Sequence, residues 1–71
     1  MKTISVTKLA QILDLKYSQV DYYCRKYHFI GRIKVGNRVY YHVEYAKAVA
    51  ETLIILSDKE LDEVIQELYQ Y

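Results

Sequence analysis

Residues 16 to 38 carry Lys16, Arg25, Lys26, Arg32, Lys34 and Arg38 against one carboxylate, Asp21: six cations to one anion, a local charge of +5. Among them stand Tyr17, Ser18, Gln19, Tyr22 and Asn37, side chains that hydrogen-bond or stack. This is chemistry for holding a polyanion that also has planar groups to read. Cations neutralise phosphate, while amides, hydroxyls and rings meet base edges. Gln19 suits adenine, and Arg25 suits guanine or a phosphate. For Arg25 and Lys26 the phosphate role is the safer reading, because about half to two-thirds of protein–DNA hydrogen bonds go to the backbone.

The remaining charge sharpens the contrast. Residues 44 to 71 hold Lys47 and Lys59 against Glu44, Glu51, Asp58, Glu60, Asp62, Glu63 and Glu67, two cations to seven anions, or −5. A net charge of +1 thus hides a basic centre and an acidic tail. Catalytic chemistry is not expected. Cys24 stands alone and reads as a buried small hydrophobe. His28 and His42 have no metal-ligand spacing, and no phosphate-cradling GxxxxGK loop or nucleophile–base–orienter set is present. Asp58, Glu60, Asp62 and Glu63 read as helix-start charges, favoured by the dipole, and not as catalytic pairs. No metal, cofactor or small-molecule ligand is expected.

Seventy-one residues make one small domain, and 52% apolar residues supply a core, although nine of them are tyrosines with hydroxyls to satisfy. One cysteine excludes an internal disulfide and suits the cytoplasm. No run of about 18 apolar residues exists, and MKTISVTK lacks an apolar signal core, so no membrane span or leader is expected. With no proline and two glycines, no linker or low-complexity tract is expected.

Helical spacing predicts the elements that position the basic centre. Ser5 or Thr7 can cap a first helix with Val6, Leu9, Ala10 and Leu13 at i, i+3, i+4, i+7 and Ile12 widening the stripe. After Asp14, Leu15 and Lys16 comes a second helix ending around Tyr27–His28, with Val20, Tyr23, Cys24 and Tyr27 expected inward. Its other face carries Tyr17, Ser18, Gln19, Tyr22, Arg25 and Lys26. The segments FIGRIKV and RVYYHV read as a hairpin around Gly36–Asn37. Turn chemistry pairs Val35 with Arg38 and Ile33 with Tyr40. Apolar alternation would instead need a loop one residue longer, and the turn chemistry is preferred. A third helix spans Val43 to Leu56, with Ala46, Val49, Ala50 and Leu53 inward. Ser57 and Glu60 spell a capping box for a fourth, whose stripe is Leu61, Val64, Ile65 and Leu68.

The order helix, turn, helix, hairpin, helix resembles the winged helix-turn-helix of the excisionase and MerR-type DNA-binding proteins. The segment SVTKLAQILDLKYSQV and the wing-like IKVGNRVYY carry the resemblance, which covers residues 4 to about 56. It implies duplex DNA binding, with the second helix in the major groove and the wing, residues 30 to 43, on the backbone or minor groove. By position, Tyr17, Ser18, Gln19 and Tyr22 fall where such proteins touch bases or nearby phosphates. Lys34, Asn37 and Arg38 fall on the wing. Arg38 carries two readings of equal weight, a DNA contact or a tie between wing and second helix. The sequence departs from the pattern at Asp14, where glycine is common, at Lys16, where serine is common, and at Asp21 and Tyr22, in an arginine-rich region. Asp21 is expected to repel phosphate.

The expected architecture is therefore mainly α with a small β-hairpin: a winged helix-turn-helix over residues 1–56, with four helices and a two-stranded wing. Residues 57–71 form an amphipathic helix packed on that domain or used for dimer or partner contact through Leu61, Val64, Ile65 and Leu68. The expected function is non-catalytic binding of double-stranded DNA in excision or transcriptional control, in a mobile element or phage. Two alternatives stand. One is a protein-binding adaptor or accessory subunit of a replication or recombination complex, docking through the fourth helix. The other is a single-strand binder with Tyr17 and Tyr22 as stacking platforms.

Overall fold

The computed structural model describes residues 2 to 71. It is mainly helical with a small antiparallel sheet. The order is β1 (Thr3–Ser5), α1 (Val6–Leu13), α2 (Tyr17–Lys26), β2 (Arg32–Val35), β3 (Arg38–His42), α3 (Val43–Leu53), a 3-10 turn (Ile54–Leu56) and α4 (Leu61–Gln70).

Ser5, in an extended conformation, caps α1 by accepting from the Lys8 N–H at 3.1 Å. Thr7 lies inside the helix. Val6, Leu9, Ala10, Ile12 and Leu13 are all buried. The helix ends in a left-handed residue, Asp14 (φ 58°). The Asp14 N–H donates to the Gln11 carbonyl at 3.1 Å and the Leu15 N–H to Ala10 at 2.9 Å. That pair of bonds is a Schellman closure, usually served by glycine. Aspartate is among the few other side chains that take up this conformation readily, so the departure from glycine leaves the turn intact.

The inward stripe of α2 differs from the expected one. Val20, Asp21 and Cys24 are buried, Tyr23 is half-buried, and Tyr27 is exposed. Two causes act. The helix closes at Lys26, which puts Tyr27 at its cap. Asp21 can turn inward because Arg25 and Arg32 neutralise it. A second left-handed residue, His28 (φ 54°), closes the helix, with its N–H to Arg25 and the Phe29 N–H to Cys24. Phe29 therefore packs onto the core and does not begin a strand. The chain enters β2 only after Gly31, whose φ of 85° would strain any side chain and whose Cβ position lies 2.3 Å from the Tyr45 ring.

The hairpin has the register that turn chemistry requires, Val35 opposite Arg38 and Ile33 opposite Tyr40. Gly36 has φ 61° while Asn37 does not take positive φ, which is the φ pattern of a type II′ turn. Opposed residues share a face, so Val39 and Tyr41 point into the core while Val35, Arg38 and Tyr40 point away. The sheet has three strands where the sequence suggested two. Thr3–Ser5 adds to the far side of β3 with Ile4 opposite Tyr41 and Ser5 opposite Tyr40, so β3 is central.

The stripe of α3 is as expected, with Val43, Ala46, Val49, Ala50 and Leu53 buried. Beyond Leu53 the helix tightens into the 3-10 turn, leaving Ile55 83% exposed. The capping box does not form. Ser57 lies too early, and its hydroxyl donates to the Leu13 carbonyl at 2.5 Å while accepting from the Lys59 N–H. It thereby satisfies a carbonyl that the end of α1 leaves open. The residue preceding α4 is Glu60, without a side-chain cap. The helix packs against α3 and α1 and buries Val64 and Leu68 completely, Leu61 and Ile65 partly. No helix among the described residues is long and apolar enough to cross a membrane.

Candidate nucleic-acid interface

The start of α2 presents Lys16, Tyr17, Ser18 and Gln19, all exposed. Gln19 has a local task as well: its Oε1 accepts from the Lys16 N–H at 3.2 Å, capping the helix. A bidentate adenine contact needs the amide oxygen and nitrogen together. In this conformation only the NH2 group is free to donate outward.

One turn on, Tyr22 is 57% exposed. Lys26 Nζ sits 5.9 Å from the ring centroids of Tyr22, Tyr23 and Tyr27. Tyr23 and Tyr27 are stacked, 5.8 Å between centroids. The outer end of α2 is thus an aromatic surface with a cation above it. Tyr27, expected in the core, belongs to that surface.

Arg25 and Arg32 do not stand free. Arg25 pairs with Asp21 one helical turn back, and Arg32 lies 3.8 Å from the other Asp21 oxygen. Register puts Arg32 opposite Tyr41, on the face turned toward the core. The tie between hairpin and α2 is therefore Arg32, not Arg38. Asp21 spends its charge on these two arginines, so its repulsion of a polyanion is largely cancelled locally. Burial next to the Asp21 carboxylate also pushes the Cys24 thiol up from its usual range, burial being the larger cause. A raised thiol is a poor nucleophile.

Lys16, Lys34 and Arg38 have no carboxylate within 4 Å among the described residues. Lys34, Asn37 and Arg38 are exposed at the hairpin. Asn37 and Arg38 meet Tyr17 across a groove that Ser5, Thr7 and Val39 also line. The strands, helix start and hairpin end that form it are far apart in sequence. They meet because β1 pairs with β3, a contact with one apolar residue to signal it. Ser5 and Thr7 are the groove residues that sequence reasoning treated only as caps. Arg25 and Lys26 lie at the opposite end of α2 from Tyr17, roughly 12–14 Å away at 1.5 Å per residue.

The four positions suggested for partner contact divide. Val64 and Leu68 are fully buried in the chain's own core, so a partner cannot reach them while α4 stays packed. Leu61 and Ile65 are partly covered. No protein-family model, curated protein or solved structure matches the chain.

Proposed function

We propose that this chain is a non-catalytic double-stranded DNA-binding protein of winged helix-turn-helix design. In this reading α2 enters the major groove, with Ser18, Gln19 and Tyr22 toward base edges. The β2–β3 hairpin is the wing, and Lys34, Asn37 and Arg38 lie along the backbone or minor groove. Lys16 and Lys26 meet phosphates at the two ends of α2. Arg25 and Arg32 contribute less, being shared with Asp21. One observation carries the reading: the cations of α2 and the hairpin stand beside exposed polar side chains, and the only carboxylate in that segment is turned inward and paired. The resemblance to excisionase and MerR-type proteins adds the expected role, excision or transcriptional control in a mobile element or phage.

A second reading keeps nucleic acid but makes it single-stranded. The exposed rings of Tyr22 and Tyr27 under Lys26 favour it, since bases stack on such surfaces whatever their sequence. Binding to matched single- and double-stranded oligonucleotides separates the two, followed by selection of bound duplexes from a random pool. Tighter duplex binding and a recoverable consensus are expected. Preference for single strands, lost on Tyr22→Ala or Tyr27→Ala, would move the assignment to the stacking reading.

A further inference from the structure

We infer that the groove between the start of α1 and the hairpin turn seats one backbone phosphate of the bound duplex, held by Arg38, Asn37, Tyr17 and Thr7. The inference rests on the DNA-binding reading and names a contact within it. Five side chains able to donate hydrogen bonds line the groove, Ser5 with the four named, and no carboxylate does. The Arg38 guanidinium has no ion-pair partner among the described residues and is exposed, so its charge is available. Arg32, by contrast, is committed to Asp21. Arginine suits a phosphate oxygen pair because its planar fork makes two parallel bonds.

The placement has a cause in the fold. Ser5 pairs with Tyr40 in the sheet, fixing the first turn of α1 beside the strand that begins at Arg38. Ser5 is already engaged as the cap of α1, accepting from the Lys8 N–H. Thr7 is exposed and its hydroxyl has no partner among the described residues. Tyr17 is 43% exposed and lines the groove. At about 510 Å³ and open to solvent, the groove has room for a phosphodiester with its flanking sugars. An occupied seat would fix the height at which α2 enters its groove, because Tyr17 is also the first residue of that helix. Thr7 and Tyr17 are in this sense positioning residues as well as phosphate ligands.

The test uses the full chain and a duplex selected from a random pool. A set of duplexes carries a single neutral methylphosphonate at successive positions. For wild type, one position is expected to weaken binding roughly ten- to hundredfold, the range of a charge-assisted hydrogen bond. Arg38→Ala and the near-isosteric Thr7→Val are expected to weaken binding to the unmodified duplex. In both variants the sensitive position should lose most of its effect, while Thr7→Ser keeps it. Both residues' side chains are exposed, and circular dichroism checks that the variants fold. If the sensitive position costs the variants as much as wild type, or if no position stands out, the seat is wrong although DNA binding stands. If wild type binds no duplex at all, the DNA reading fails and the seat with it.

Discussion

Asp21 shows how one residue sets the strength of a surface. It lies on the inward side of α2, where an unpaired carboxylate would be costly, and two arginines relieve that cost. The same pairing draws Arg25 and Arg32 away from any phosphate. The stabilising part is modest, because Arg25 is largely exposed and such pairs contribute about 0–1 kcal/mol. Asp21→Ala is therefore expected to cost little stability and to free two cations. Binding to random duplex should tighten, and its salt dependence should steepen by up to about two units. Salt titration of the variant beside wild type checks this. Weaker binding would contradict it and would mean that the carboxylate aims the arginines at DNA.

At the scale of elements, α4 is a structural part of the core. Val64 and Leu68 are wholly buried against α1 and α3, and the Ser57 hydroxyl fastens the preceding segment to the end of α1. Leu68→Ala should lower stability by about 2–5 kcal/mol, the range for emptying a leucine site. Ser57→Ala should cost about 1 kcal/mol through its lost hydrogen bond. Both are read as shifts in the chemical-denaturation midpoint. An unchanged midpoint in Leu68→Ala would contradict the packing. The stripes of α1 and α3 were legible in the sequence because burial there is continuous and apolar, which is the pattern that 3.6-residue spacing detects. The hairpin register was legible because Gly36–Asn37 dictates loop length more strongly than a half-exposed strand dictates facing. Three features were not. β1 has a single apolar residue, too little for alternation. Asp21 turns inward only because Arg32 arrives from another element. Ser57 finds a carbonyl on α1 closer to hand than the helix it was spelled to cap. The groove beside the hairpin was missed for the first of these reasons.

For the whole molecule, the charge asymmetry of the sequence becomes a separation in space. Seven of the nine acidic residues fall on α3, α4 and the segment between them, while the unpaired cations of the central segment fall on α2, its N-cap and the hairpin. The near-neutral total keeps long-range attraction to a polyanion weak, so in the proposed reading duplex binding depends on local contacts. Each phosphate neutralised by a lysine or arginine releases condensed counterion, and affinity then falls as salt rises. The side chains proposed to read bases would contribute differently, as preference for a site. The measurement that tests the central claim most directly is therefore a salt-dependent titration of wild type, Lys34→Ala, Arg38→Ala and Tyr22→Ala on selected and random duplexes. Lys34→Ala and Arg38→Ala should weaken binding to both duplexes and flatten the slope by about one unit per lost contact. Tyr22→Ala should leave the slope unchanged and reduce preference for the selected duplex by about 1–3 kcal/mol. Absence of duplex binding by wild type at low salt, or hairpin variants that titrate as wild type does, would contradict the account.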